Sequence, residues 1–364
     1  MNAAKVQPVQ FYCTLVVFLL GTSIIFGTPR LVPDTWLVDI TTVILASLLF
    51  LMYTRIVALG EHKGYYSLLE KAWGPYAGKG LVLCYCVYFL YIAARNLRDM
   101  IELVMTSLLR STPEPLLVIL FVILVAYASS SNMAALGRLS ILIACCVILF
   151  FITVGILLLF SHSVEMERLL PVFTQRFDKV VKTAARDTVW FPYGELIVFL
   201  VFIPNLGGKR EFRKIGLSAL FSAGIILTLS DVLQTATLGV ENIKYSSFAL
   251  LDAARMINIY NFITRMDALV ALIIIFGVLL KCSIFLIASV MGAAYVFKVK
   301  KERIQLPLAL LMGSLSLVVT HNSAEHISEG LNYVIYWLHI PAQFVIPVAT
   351  LIIIRIRYRK GARS

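Results

Sequence analysis

Residues 11–30 read FYCTLVVFLLGTSIIFGTPR. The apolar run Phe11–Leu20 meets Gly21-Thr22-Ser23, resumes at Ile24-Ile25-Phe26, and stops at Gly27-Thr28-Pro29-Arg30. A helix from Phe11 rises about 15 Å before the interruption, which is the middle of a bilayer core. A second interruption lies in Trp190-Phe191-Pro192-Tyr193-Gly194-Glu195, where a proline, a glycine and a carboxylate fall within four residues. Backbone freed at that depth is tolerated only where it faces protein or a cavity. Interruptions at corresponding places in two halves of five spans point to an inverted-repeat transporter fold with its site at the midplane.

Direction then suggests chemistry. The first span runs from inside to outside, so the half-helix beginning near Ile24 offers free N–H groups and a positive dipole end, suited to a carboxylate. The second break offers unpaired carbonyls, the Tyr193 hydroxyl and Glu195, suited to an ammonium. Gly21, Thr22, Ser23 and Ile24, with Phe191, Pro192, Tyr193, Gly194 and Glu195, are the expected ligand contacts. Against this stands a plainer reading. Glycine and proline are common in membrane helices, and a Gly-Thr-Ser stretch also serves close helix packing.

Composition supports the membrane class. Of 364 residues, 60% are apolar and 14% charged, and the mean hydropathy is +0.89. A soluble domain is nearer half apolar and a quarter charged, so an ordinary globular enzyme is excluded. The rule of about 20 apolar residues per span yields ten. They are Phe11–Pro29, Trp36–Leu59, Leu81–Leu109, Pro115–Ser131, Leu136–Phe160, Val181–Leu206, Ile215–Leu238, Phe262–Phe297, Leu306–Thr320 and Tyr333–Ile356. The expected architecture is all-α: a single ten-helix domain of two five-helix repeats, 1–160 and 187–356. An outer, amphipathic connection (161–186) joins them and a basic tail (357–364) follows. No cleavable signal peptide is expected at Met1–Gln10. The six cysteines fall in apolar runs and read as small apolar fillers.

The net charge of +12 would in a soluble chain raise nucleic acid as a partner. Here, with the N-terminus inside, the cytoplasmic segments hold 19 of the 32 lysines and arginines and the outer segments ten. This bias places both termini in the cytoplasm and leaves nucleic acid without a role.

Five motifs carry a resemblance. Gly21-Thr22-Ser23 through Thr28-Pro29-Arg30, Arg98-Asp99-Met100-Ile101-Glu102, Leu170-Pro171-Val172-Phe173, Phe191 through Glu195, and Phe262-Ile263-Thr264-Arg265-Met266-Asp267 follow in order. The chain resembles, over its whole length, the spore-germination permease family. These are the B subunits of GerA-type nutrient germinant receptors, a branch of the amino-acid–polyamine–organocation superfamily. The resemblance implies a ten-helix subunit in the inner membrane of the endospore. Such a subunit recognises a small germinant, often an amino acid, and works with an A and a C subunit. Many relatives carry Gly-x-Gly at the first break, where this chain has Gly21-Thr22-Ser23. Many have Glu before the arginine of the eighth-span entrance, where this one has Thr264.

Other charges have two readings each. Arg98 and Glu102 stand i, i+4 in the third span and can pair structurally or form a gate above a ligand. Tyr91 and Ile92 (with Tyr88) lie nearer the midplane and are expected to line the pocket. Lys281, deep in the eighth span, is either a fixed cation standing where sodium-coupled transporters hold an ion, or a structural partner of Glu195 or Asp231. Ser283 beside it is an expected ligand contact. Asp231 is either a protonation site or a partner of Lys281. The aromatic, basic loop Gly60–Gly80 reads as an interfacial cytoplasmic helix or a docking site for a partner subunit. His321 and His326 are i, i+5 and poorly placed to share a metal. No Walker loop, HExxH, GxSxG or CxxC occurs, so neither catalysis nor a cofactor is expected. Two functions remain: a nutrient-sensing receptor subunit, and a proton-coupled amino-acid transporter using Glu195 or Asp231.

Overall fold

The computed structural model describes residues 6–26, 34–59, 64–205, 209–259, 263–264, 266–319 and 323–361. The first helix, α1 (Pro8–Leu20), opens on a proline whose missing N–H costs nothing at that position. The Gln10 side chain accepts the Gln7 N–H at 3.0 Å. It closes at Gly21, and a four-residue helix, α2 (Ser23–Phe26), resumes after the turn. Then come α3 (Thr35–Leu59), α4 (Tyr65–Trp73), α5 (Pro75–Ser107), α6 (Glu114–Ser130) and α7 (Met133–Phe160).

The sixth segment is broken. Helix α8 (Phe177–Thr183) widens over Ala184–Thr188, the chain turns, and α9 (Tyr193–Asn205) continues as a tighter 3₁₀ helix. The two parts meet at 44°. After α10 (Lys209–Leu238) come two short helices, α11 (Val240–Ile243) and α12 (Ala249–Arg255), and a two-stranded antiparallel hairpin, β1 (Asn258–Ile259) and β2 (Ile263–Thr264). Then come α13 (Asp267–Phe297), α14 (Lys301–Val318), α15 (Ser323–Glu329) and α16, which runs from Gly330 to Gly361.

Six of these helices are long and apolar enough to cross a membrane, and the bent pair α8–α9 makes a seventh. The shorter α1 and α6 are also apolar. Leu48, Ile123, Leu149 and Ile152 point outward on these helices, as a lipid-facing surface requires. Inside, α5 lies along α13, and α1 is held among α7, α10 and α13. Since lipid is as apolar as leucine, such contacts are held by close packing rather than by the hydrophobic effect. The Phe18–Phe285 and Phe89–Phe285 rings, 5.2 and 5.9 Å apart, are the centre of that packing.

Two expectations are corrected, both at the start of a span. The eighth span does not begin at Phe262: β2 occupies Ile263–Thr264 and the helix starts at Asp267, where Arg255 holds the Asp267 carboxylate at 3.3 Å. An acid in the first turn of a helix suits its dipole. The segment expected as a helix within Gly60–Gly80 is described from Gly64 on. Its helix α4 turns Tyr65 and Tyr66 into the protein, and the Tyr66 hydroxyl donates to the Ala288 carbonyl (2.7 Å). The third span starts at Pro75, not Leu81, because Gly78 lets α5 press against the Glu70 backbone.

The 161–186 connection contains one short turn, Met166–Leu169, before α8. It is pinned by Asp34, which accepts hydrogen bonds from the Phe173 N–H (2.8 Å), the Thr174 N–H (2.6 Å) and the Thr174 hydroxyl (2.6 Å). Burial works against the Asp34 charge, but these donors, Thr174 foremost, outweigh it and hold the carboxyl below its ordinary value.

Candidate functional site

The two breaks meet. At the first, the Thr22 hydroxyl donates to Asn96 Oδ1 of α5 (2.9 Å). At the second, the Gly194 N–H reaches back to the Val189 carbonyl (2.9 Å) across a cis Phe191–Pro192 peptide. Lys281 of α13 joins them: its Nζ donates to Glu195 Oε2 at 2.7 Å and to Thr22 Oγ1 at 3.3 Å. Its ammonium also lies over the rings of Phe191 (4.7 Å) and Phe18 (5.3 Å). Both members of the ion pair are shut off from solvent, 0% and 1% exposed. A charge at that depth is retained only with a partner and further hydrogen bonds. Gly21 leaves the passage for the lysine stem, since a Cβ there would sit 3.0 Å from Lys281 Cδ.

Above this pair lies a cavity of about 510 Å³, within the range that small-molecule sites occupy. Ser23 enters it from the first break, and Phe191, Pro192, Tyr193 and Glu195 from the second. Helix α5 contributes Ile92, Arg95, Asn96 and Asp99; α3 contributes Asp39 and Thr42; α10 contributes Asp231. The last wall is Gly330–His339 of α16, and the short segment Lys244–Ser247 borders the cavity away from the breaks.

Between α5 and the α15–α16 region runs a polar clasp. Arg95 donates to Glu329 (3.2 Å) and to the His326 carbonyl (2.7 Å), and Asp99 meets His326 Nε2 at 2.8 Å. The arrangement suits a small polar molecule: carboxylates and hydroxyls on one side, a guanidinium and imidazoles on another, and aromatic surface between.

The expected residues divide. Ser23, Ile92, Phe191, Pro192, Tyr193, Glu195 and Asp231 line the cavity, while Gly21, Thr22 and Lys281 support it from behind. Ile24 faces instead a small apolar void beside Val147 and Gly277. Tyr91 is half-buried and receives the Arg95 guanidinium at 3.3 Å. Gly194 packs against the Gln343 amide. Ser283 donates to the Leu279 carbonyl of its own helix (2.7 Å) and is buried among helices rather than at the cavity wall.

One pairing is corrected: Arg98 makes its ion pair with Glu114 of α6, not with Glu102. Glu114 stands in the first turn of α6, where a carboxylate is favoured, and reaches the guanidinium from there. Lys281 pairs with Glu195 rather than Asp231. His321 lies outside the described residues, and among those described no three metal-ligating side chains stand together. Missed entirely were Asp39, His339 and Gln343. Asp39 had a signal, being a carboxylate inside an apolar span.

A family model described as a spore germination protein (spore permease) matches residues 5–325. Three proteins of Bacillus subtilis (strain 168) are similar. Spore germination protein KB is 27% identical over 97% of this chain and 95% of its own length. Spore germination protein YndE is 21% identical over 86% of each chain. Spore germination protein B2 is 22% identical over 65% of this chain and 63% of its own.

Proposed function

This chain belongs to the spore germination protein family, and from that premise we propose that it is the nutrient-sensing B subunit of a germinant receptor. A small germinant, an amino acid by the balance of charges in the cavity, binds where the two broken helices meet. It favours one arrangement of the walls, and the shift passes to A and C partner subunits. In this reading the helices group as ten spans in two repeats of five, α1–α2 and α8–α9 being the broken first and sixth. The subunit sits in the inner membrane of the endospore with both termini on the core side. The observation that carries the reading is the convergence of Ser23 and Phe191–Glu195 on one cavity.

The test uses spores expressing the chain with its natural partners, scored for germination against single amino acids and sugars. Asp231→Asn is expected to shift the half-saturating dose of one nutrient by roughly tenfold, at unchanged protein abundance. Identical dose curves would move the site elsewhere.

A second reading, a proton-coupled amino-acid transporter, draws on the buried carboxylates Asp39 and Asp231 at the cavity. Asp231 of α10, which lines the cavity, is the proton carrier in that scheme. Radiolabelled uptake by the chain alone, abolished by Asp231→Asn, would favour it.

A further inference from the structure

Helix α16 touches the cavity at one end and α4 at the other. Its first part, Gly330–His339 and Pro341–Val345, is wound with i→i+5 hydrogen bonds in the π form; Ile346–Gly361 then follows in the ordinary α form. Winding of this kind is normally confined to a single turn, often at a functional site. Here it continues through several, along the cavity wall formed by Gly330, Leu331, Val334, Ile335 and His339.

Side chains from other helices hold the wide form. The Tyr85 hydroxyl donates to the Ala342 carbonyl (2.6 Å) and the Tyr53 hydroxyl to the Gln343 carbonyl (2.7 Å). Tyr53 Oη also lies 3.1 Å from the Gly194 carbonyl, at the second break. His339 Nδ1, Gln343 Nε2 and Tyr88 Oη form a triangle with 2.8 Å sides. At the far end, Trp73 Nε1 donates to Thr350 Oγ1 (3.0 Å) and Arg357 donates to the Lys71 carbonyl (2.9 Å). Trp73 and Lys71 are the last turn of α4.

The two windings are discrete alternatives, since each carbonyl must exchange one partner for another. Drawing one π turn into α form takes up a residue, which rotates the adjoining stretch by about 100° and moves it about 1.5 Å along the axis. We propose that the π-wound stretch of α16 converts occupancy of the cavity into movement of α4, with Tyr53 and Tyr85 setting the balance between the windings. The inference rests on the nutrient-binding reading of the cavity. A ligand that prefers one face of Gly330–His339 shifts the balance; α16 carries the change past Thr350 to α4, which delivers it to whatever subunit stands there.

Two variants test this: Tyr53→Phe/Tyr85→Phe, which removes the two donors, and Trp73→Phe, which removes one of the two far contacts and leaves that of Arg357. Each is measured in spores with the natural partners, and as purified full-length chain in lipid nanodiscs. The probe in both is an equimolar mixture of the common L-amino acids and glucose. The expected result is that the mixture raises the melting midpoint of wild type and both variants alike. The half-saturating dose for germination, in contrast, changes roughly tenfold per lost hydrogen bond. Variants that germinate like wild type overturn the inference and leave the cavity reading standing. Variants that lose the melting shift together with germination overturn it too, because the tyrosines would then be shaping the cavity. If wild type itself shows no melting shift, the nutrient reading falls and the inference with it.

Discussion

Lys281 and Glu195 show how much rests on single side chains. Each would be costly alone in a membrane interior, and together they close the gap between two broken helices. Removing one partner leaves the other's charge stranded. Lys281→Met is therefore expected to destabilise the chain by about 3–5 kcal/mol, read as a lowered melting midpoint in detergent. The double variant Lys281→Met/Glu195→Gln should regain most of that loss, because no stranded charge remains. A double variant no more stable than the single would show that the pair matters for something other than mutual neutralisation. The lysine's depth was legible in the sequence, since an ammonium inside an apolar run stands out. Its partner was not: Glu195 and Asp231 were both available, and only the meeting of α13 with the second break decides between them. Arg98 teaches the same lesson in reverse. Spacing along one helix offered Glu102, but α6 brings Glu114 closer from outside that helix.

At the scale of elements, α4 and α5 form a tight corner. A Cβ on Gly78 would lie 2.4 Å from the Glu70 Cα, backbone against backbone, with no side chain to swing aside. Gly80, two residues on, has open space around it. Gly78→Ala is expected to break the corner and sharply lower the folded yield. Gly80→Ala should be neutral or stabilise by up to about 1 kcal/mol through helix propensity. Thermal denaturation of both variants, side by side, checks the contrast; equal behaviour would mean that the corner yields. The breaks themselves were readable, because glycine, proline and small polar residues at mid-span have few other uses. The hairpin before α13, the inward turn of α4 and the π winding of α16 were not. Each depends on partners distant in the chain: Asp267 with Arg255, Tyr66 with Ala288, Ala342 with Tyr85.

For the whole molecule, the basic residues predict a definite topography. The connection carrying Phe173 should face outward and the turn carrying Val299 inward; both residues are exposed in the structure. In right-side-out vesicles, a membrane-impermeant maleimide should label Phe173→Cys at once and Val299→Cys only after permeabilisation. The opposite pattern would invert the chain and turn the cavity toward the other compartment. That the protein is an all-helical membrane chain could be read from composition and span length alone. The volume of the cavity and the clasp of Arg95 and Asp99 on the α15–α16 region arise from packing that no single segment encodes.

The buried ion pair also constrains how the chain is made. Glu195 leaves the ribosome well before Lys281, so its segment must enter the bilayer while its future partner is still unsynthesised. A lone acid or lysine at a helix centre costs the insertion machinery about 3 kcal/mol. That penalty is borne by the apolar residues around it, Leu196–Phe202 for the acid and Ile284–Leu286 among those for the lysine. Each segment can therefore be accepted singly, but the pair is neutralised only when α13 arrives. The second break stays unfinished for that interval, and a chain truncated before Lys281 should be a ready target for membrane quality control.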